Sequence, residues 1–204
     1  ILPDWLEIVQ RDFNHPAIIG WCPLNETDGN QDPELVRMIA AMTRALDPTR
    51  LFIETSGWTH MRGVTDIVDI HNYDQNPETF KANYDRLMTE GHLHDWLKDR
   101  YGMQQYAGGP AFVSEYGGTW WAPGEAGWGY GETPKTEEEA VERICGLTKA
   151  ILDCDQCCAY CYTQLTNIEQ EQNGIYYYDR TMKFSEENFA KIRAAFAAPA
   201  AIED

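Results

Sequence analysis

Two glutamates stand where side-chain chemistry is easiest to assemble. Asn14 to Thr27 (NHPAIIGWCPLNET) contains a nearly continuous apolar run, Ala17 to Leu24, that ends on Asn25 and Glu26. Pro110 to Gly118 (PAFVSEYGG) is a second short apolar run, ending on Ser114 and Glu115 before a glycine pair that lets the backbone turn sharply. Runs of this kind read as strands covered on both faces. Parallel α/β sheets gather catalytic groups at the carboxyl ends of such strands, where the following loops form a shared mouth. Paired carboxylates there suit glycoside hydrolysis: one protonates the leaving oxygen, and the other stabilises or attacks the anomeric carbon.

Four stretches in this order, NHPAIIGW with the following Asn25-Glu26, HNY at 71–73, SEYGG at 114–118 and YTQLTNIEQEQNGIYYYDR at 162–180, resemble glycoside hydrolase family 2. That family contains β-galactosidases, β-glucuronidases and β-mannosidases, and the resemblance runs from about Asp4 to Lys183. It implies an α/β fold: the C-terminal part of a (β/α)8 TIM barrel, about five βα units corresponding to strands 4–8. By the same resemblance Glu26 is the general acid/base and Glu115 the nucleophile. Asn25 matches the residue that binds the sugar 2-hydroxyl. Tyr73 matches the tyrosine bonded to the nucleophile, and Tyr162 stands where a tryptophan often stacks beneath the sugar. His71, at a strand end, reads either as a substrate-binding residue or as a structural hydrogen-bonding one.

A whole barrel takes about 250 residues, so 204 residues read as one partial domain spanning 1–204, without barrel strands 1–3 or the β-sandwich domains that precede them in the family. The expected partners are a carbohydrate substrate and the rest of a parent chain, with self-association through open barrel edges. A net charge of −17 argues against nucleic acid. No apolar run approaches the roughly 20 residues of a membrane span. The resemblance implies no cofactor. Six cysteines include four in CDQCCAYC, at 154–161. On a strand over 157–162, Cys157 and Cys161 share one face and Cys158 the other, so the four do not converge on a metal, and they read as small core residues.

The elements that must position these groups follow from periodicity. Helices are expected at 3–13, 33–46, 77–88, 136–152 and 185–197, and strands at 18–24, 51–54, 67–70, 110–118 and 157–163. Their alternation predicts a parallel sheet with crossover helices. Ser56, Gly57 and Trp58 follow the second strand, and an irregular segment covers 92–109. Asp28, Asn30 and Asp32 mimic the start of a calcium loop, but Pro33 and Ile39 stand where that loop needs glycine and glutamate. The loop GGTWWAPGEAGWGYGETP (117–134) carries Trp120, Trp121, Trp128 and Tyr130. Two readings stand side by side: Trp120 and Trp121 stack on sugar, or they pack the loop against the barrel.

Family members that cleave glucuronides carry Asn-x-Lys before the Gly-Ile that follows strand eight. Here Glu171, Gln172 and Asn173 precede Gly174-Ile175. A carboxylate in place of the asparagine, with no lysine, repels a uronate, so the expected substrate is a neutral β-hexoside, a β-galactoside first and a β-mannoside or another neutral β-glycoside behind it; the alternative is a structural or carbohydrate-binding piece of the parent glycosidase without activity of its own.

Overall fold

The computed structural model describes residues 1–27, 31–57, 59–61, 63–91 and 108–203. Asp28, Asn30, Trp58 and the greater part of the 92–109 segment lie outside them. Helices and strands alternate as α1 (Leu2–Asp12), β1 (Gly20–Trp21), α2 (Pro33–Leu46), β2 (Leu51–Phe52), β3 (Val68–Asn72), α3 (Pro77–Glu90), β4 (Ala111–Gly117), α4 (Glu137–Leu152), β5 (Cys157–Thr163) and α5 (Glu186–Phe196). Asp32, Asn76, Thr136 and Ser185 cap α2 to α5, each accepting a backbone N–H of the first turn. Asp32 therefore serves α2.

All pairings between named strands are parallel and follow chain order, β1 with β2 and then β3–β4–β5. This is an α/β segment of a barrel, and it does not close on itself. The ladder lapses between β2 and β3 because side chains take over its bonds. Phe52 N donates to Asp66 Oδ2 at 2.8 Å and Gly57 N to Asp69 Oδ1 at 2.7 Å. The His60 ring reaches Asp69 O at 2.6 Å, and the two backbones are joined directly by Asp66 N to Phe52 O, 2.8 Å, and His71 N to Gly57 O, 3.1 Å.

Two apolar layers hold the strands. Val9 of α1 with Val36, Ile39 and Ala40 of α2 cover Trp21 and Phe52. Phe80, Tyr84 and Leu87 of α3 with Leu147 and Ile151 of α4 cover Ile70, Val113, Tyr116 and Cys157. A third cluster ties α4 to α5 through Val141, Ile144, Phe184 and Ile192.

Two sequence expectations need correction. β1 is two residues long rather than 18–24, and Ile19 is 86% exposed, because β1 pairs on one side only and its flanks lie open. The cysteines are not uniformly core residues. Cys157 is buried, Cys145 and Cys154 are half-buried, and Cys22, Cys158 and Cys161 are exposed. Cys158 and Cys161 lie on β5, the other outermost strand, whose faces are only partly covered.

Candidate active site

The carboxyl ends of the strands converge on three groups. Parallel pairing sets His71 of β3 opposite Glu115 of β4. A bridge sets Asn25 beside Ser56, and Glu26 N donates to Ser56 O at 2.7 Å. One atom each of Glu26, His71 and Glu115 lies within 4.8 Å of the others. That approach is of the order of the about 5–5.5 Å between the two carboxyl groups of a retaining glycosidase.

Each member is fixed by its surroundings. Glu26 has φ of +48°, a left-handed conformation that costs a non-glycine residue about 1–2 kcal/mol and is tolerated where a side chain must be aimed. His71 is buried, with Nδ1 2.7 Å from Glu26 Oε1 and 3.4 Å from Glu115 Oε2. His71 Nε2 meets Ser56 Oγ at 2.7 Å. Ser56 in turn meets Asp69 Oδ1 at 3.1 Å, and Ser114 donates to the same oxygen at 2.7 Å. Burial pushes the Asp69 carboxyl above its ordinary range, against the bonds from Ser114 and Gly57 that favour its charge.

Glu115 accepts a short hydrogen bond from Tyr73 OH. Tyr73 lies flat against Tyr130, with ring centroids 3.6 Å apart and planes within 4°, and its hydroxyl is 3.3 Å from Thr163 Oγ1 of β5. Burial and the Glu115 carboxylate raise the Tyr73 phenol far above the physiological range, so it is a donor at any working pH. Tyr130 is held by its N–H to Gly118 O, 2.9 Å, and Trp128 stands edge-on to it at 5.8 Å. The carboxylates that bear on Tyr130 are Glu171, Glu26 and Glu115, so this mouth is acidic.

Behind β5 the loop is cross-braced. Asn173 Nδ2 donates to Glu171 Oε1 and Gln164 Nε2 to Asn173 Oδ1, both at 2.9 Å. The Lys183 ammonium is buried and spends its donors on Asn167 Oδ1 and the carbonyls of Gln172 and Gly174, at 2.6, 3.1 and 3.0 Å. Loss of water lowers its pKa to about 8, against the pull of Glu125.

Of the residues singled out from sequence, Glu26, Glu115, His71 and Tyr73 come together, with Asn25 exposed next to Glu26. Tyr162 does not join them. Its ring packs edge-on against Tyr116 at 5.4 Å and beside Phe196 of α5, and Thr119 N reaches its hydroxyl at 3.3 Å. Side chains alternate along a strand, so the next residue, Thr163, reaches the site instead. Trp121 packs against the α4–α5 cluster with its indole N–H buried and unpartnered, and Trp120 lies half-buried against Gly129. Tyr130, named from the sequence only among the aromatics of its loop, Thr163 and the Ser56–Asp69–Ser114 network were not assigned to the site. For Tyr130 the glycines on either side, in GWGYG, were the available signal. As a ligand set for a cation, Glu26, His71 and Glu115 form the one grouping of three among the described residues, but glycoside hydrolysis by two carboxylates asks nothing of a metal.

Residues 3–134 match the family described as glycosyl hydrolases family 2, TIM barrel domain. The β-glucuronidase of Rattus norvegicus is 30% identical over 118 residues, which is 54% of this chain and 17% of that protein. A β-glucuronidase from an uncultured Clostridium superposes with a TM-score of 0.67 at 19% identity, covering 95% of this chain and 35% of that one. A β-galacturonidase of Eisenbergiella tayi bound to galacturonate superposes equally, 0.67 at 17% identity, covering 95% and 36%. At those identities the likeness is one of fold. The chain spans between 11% and 17% of the length of the curated relatives it matches.

Proposed function

Because the chain belongs to glycosyl hydrolase family 2, matching its TIM barrel domain over residues 3–134, we propose that it carries the acid/base and the nucleophile of a retaining β-glycosidase. The observation that carries this reading is the approach of Glu26, after β1, and Glu115, on β4, to within 4.8 Å at the carboxyl ends of parallel strands, with His71 between them. In the first step Glu115 attacks the anomeric carbon while Glu26 protonates the departing oxygen. In the second, Glu26 takes a proton from water, which displaces Glu115. Tyr73 holds the attacking oxygen of Glu115, and Asn25 is placed beside Glu26 for the sugar 2-hydroxyl. The open barrel supports a further part of the reading, that the chain works within a longer protein supplying the remaining strands.

For the substrate we propose a neutral β-hexoside, with a β-galactoside the first to assay. Glu171 adds a third carboxylate to the mouth. Both ends of the Asn173 amide are engaged within the loop, and the Lys183 donors are turned onto loop carbonyls. A uronate would meet like charge there, while the Lys183 ammonium of this loop is engaged by Asn167 and two carbonyls. The competing reading, a uronide, is favoured by the names of the relatives, which are β-glucuronidases and a β-galacturonidase.

In the full-length protein Glu115→Gln abolishes turnover, while Glu26→Ala spares aryl glycosides with good leaving groups and is rescued by azide, since acid help matters only for a basic leaving oxygen. Near-normal activity of Glu115→Gln on an activated aryl glycoside would reverse the assignment. A panel of aryl β-glycosides decides the sugar, and a clear preference for the glucuronide would overturn the neutral reading.

A further inference from the structure

We propose that Cys154 and Cys157 form a reversible dithiol–disulfide site, open to low-molecular-weight disulfides, at the end of β5 remote from the catalytic groups. Six residue steps of strand separate Cys157 from Thr163, about 20 Å along β5. The site is therefore distinct from the carboxylate pair.

The geometry is that of a closed turn. Cys157 N donates to Cys154 O at 3.1 Å, between the end of α4 and the start of β5. A turn of this kind holds its first and fourth Cα atoms within about 7 Å, and a disulfide spans about 4.4–6.8 Å. Both residues belong to the apolar layer between α3 and α4, Cys157 within its buried cluster and Cys154 packed against it.

The pair is asymmetric in the way exchange chemistry needs. Cys157 is buried at 4% exposure. Cys154 is half-buried and lines a small cavity of about 80 Å³ with Lys81, Tyr84, Asp85 and Met88. The neighbouring Cys157 thiol draws the Cys154 thiol down to about 6, against burial, while Cys157 is pushed up by Cys154 and by burial. Cys154 is thus the accessible thiolate and Cys157 the resolving group. Cys158 is exposed and outside this cluster, and among the described residues no third ligand gathers here for a metal.

The exchange balances as two displacements. The Cys154 thiolate attacks one sulfur of an external disulfide, forming a mixed disulfide and releasing one external thiolate. Cys157, losing its proton to that thiolate or to solvent, attacks the Cys154 sulfur and releases the second. The external disulfide is reduced by two electrons and the protein dithiol is oxidised by two.

The test uses the full chain, reduced and then exposed to glutathione disulfide at neutral pH, with remaining thiols alkylated and the linkage located by fragmentation mass spectrometry. Wild type should show the Cys154–Cys157 link, reversed by dithiothreitol. Cys157→Ser should accumulate a glutathione adduct on Cys154. Alkylation of Cys154 at pH 7 should be at least about tenfold slower in Cys157→Ala, which fills the same core position, than in wild type. Linkage through Cys158 or Cys161 instead, or absence of the Cys154 adduct from a folded Cys157→Ser protein, would overturn the proposal.

Discussion

Tyr73→Phe isolates one bond of the proposed machinery. The hydroxyl of Tyr73 donates to Glu115 Oε2, while the ring itself is held by its stack on Tyr130 at 3.6 Å. Phenylalanine keeps the stack and removes only the donor, so stability should fall by no more than about 3 kcal/mol, what a hydrogen bond to a charged group contributes. A hydrogen bond to an ionised carboxylate contributes about 1.5–3 kcal/mol. If that bond fixes the attacking oxygen through the transition state, its loss appears in the barrier as about a 10- to 150-fold fall in kcat/KM. The fall should appear in kcat also, because the bond acts on the nucleophile and not on substrate affinity. The assay is steady-state hydrolysis of an aryl β-hexoside by the full-length variant, beside its thermal melt. A folded variant losing less than threefold, or losing activity through KM alone, would refute the role given to Tyr73.

Other outcomes follow from the same geometry. Lys183, 6% exposed, has a folded pKa of about 8 against 10.5, so between those values the unfolded chain binds more protons and stability rises with pH, by about 3 kcal/mol at most. Chemical denaturation at pH 8 and 10 should show this rise in wild type and not in Lys183→Met; equal pH dependence in both would refute it. Gly117 has φ of +80°, and a Cβ there would lie inside the Tyr162 ring, so Gly117→Ala should destabilise by about 2–5 kcal/mol from backbone strain and overpacking together. A melt within 1 °C of wild type would contradict it. The chain alone should self-associate, since among the described residues β1 and β5 each pair on one side only and a groove of about 490 Å³ lies along β5 beside Phe196 and Ile202. Sedimentation as a monodisperse monomer at high concentration would count against this.

Periodic features were legible in the sequence. The apolar spacing of 33–46 and the acidic first turn at 137–139 locate α2 and α4 to within a residue, and β5 coincides with its expected span. Strand ends were legible too, since apolar runs closing on Asn25-Glu26 and Ser114-Glu115 place polar groups at one rim. What escaped was non-local. Ser56, Asp69 and Ser114 read singly as ordinary polar residues, and only the packing of three strand ends makes them a buried network. Tyr162 was placed one residue out of phase, which on a strand means the opposite face, and Thr163 holds the position facing Tyr73. Trp121 shows the limit of composition: an aromatic loop residue packs on the helices as readily as it faces a sugar.

The central claim is that Glu115 is the nucleophile of a retaining pair with Glu26. The full-length protein, incubated with an activated aryl 2-deoxy-2-fluoro-β-hexoside that slows the second step, should accumulate a covalent glycosyl adduct on the peptide carrying Glu115, located by fragmentation mass spectrometry. A label on another carboxylate, or turnover of the parent glycoside to the inverted anomer with no label on Glu115, would contradict it.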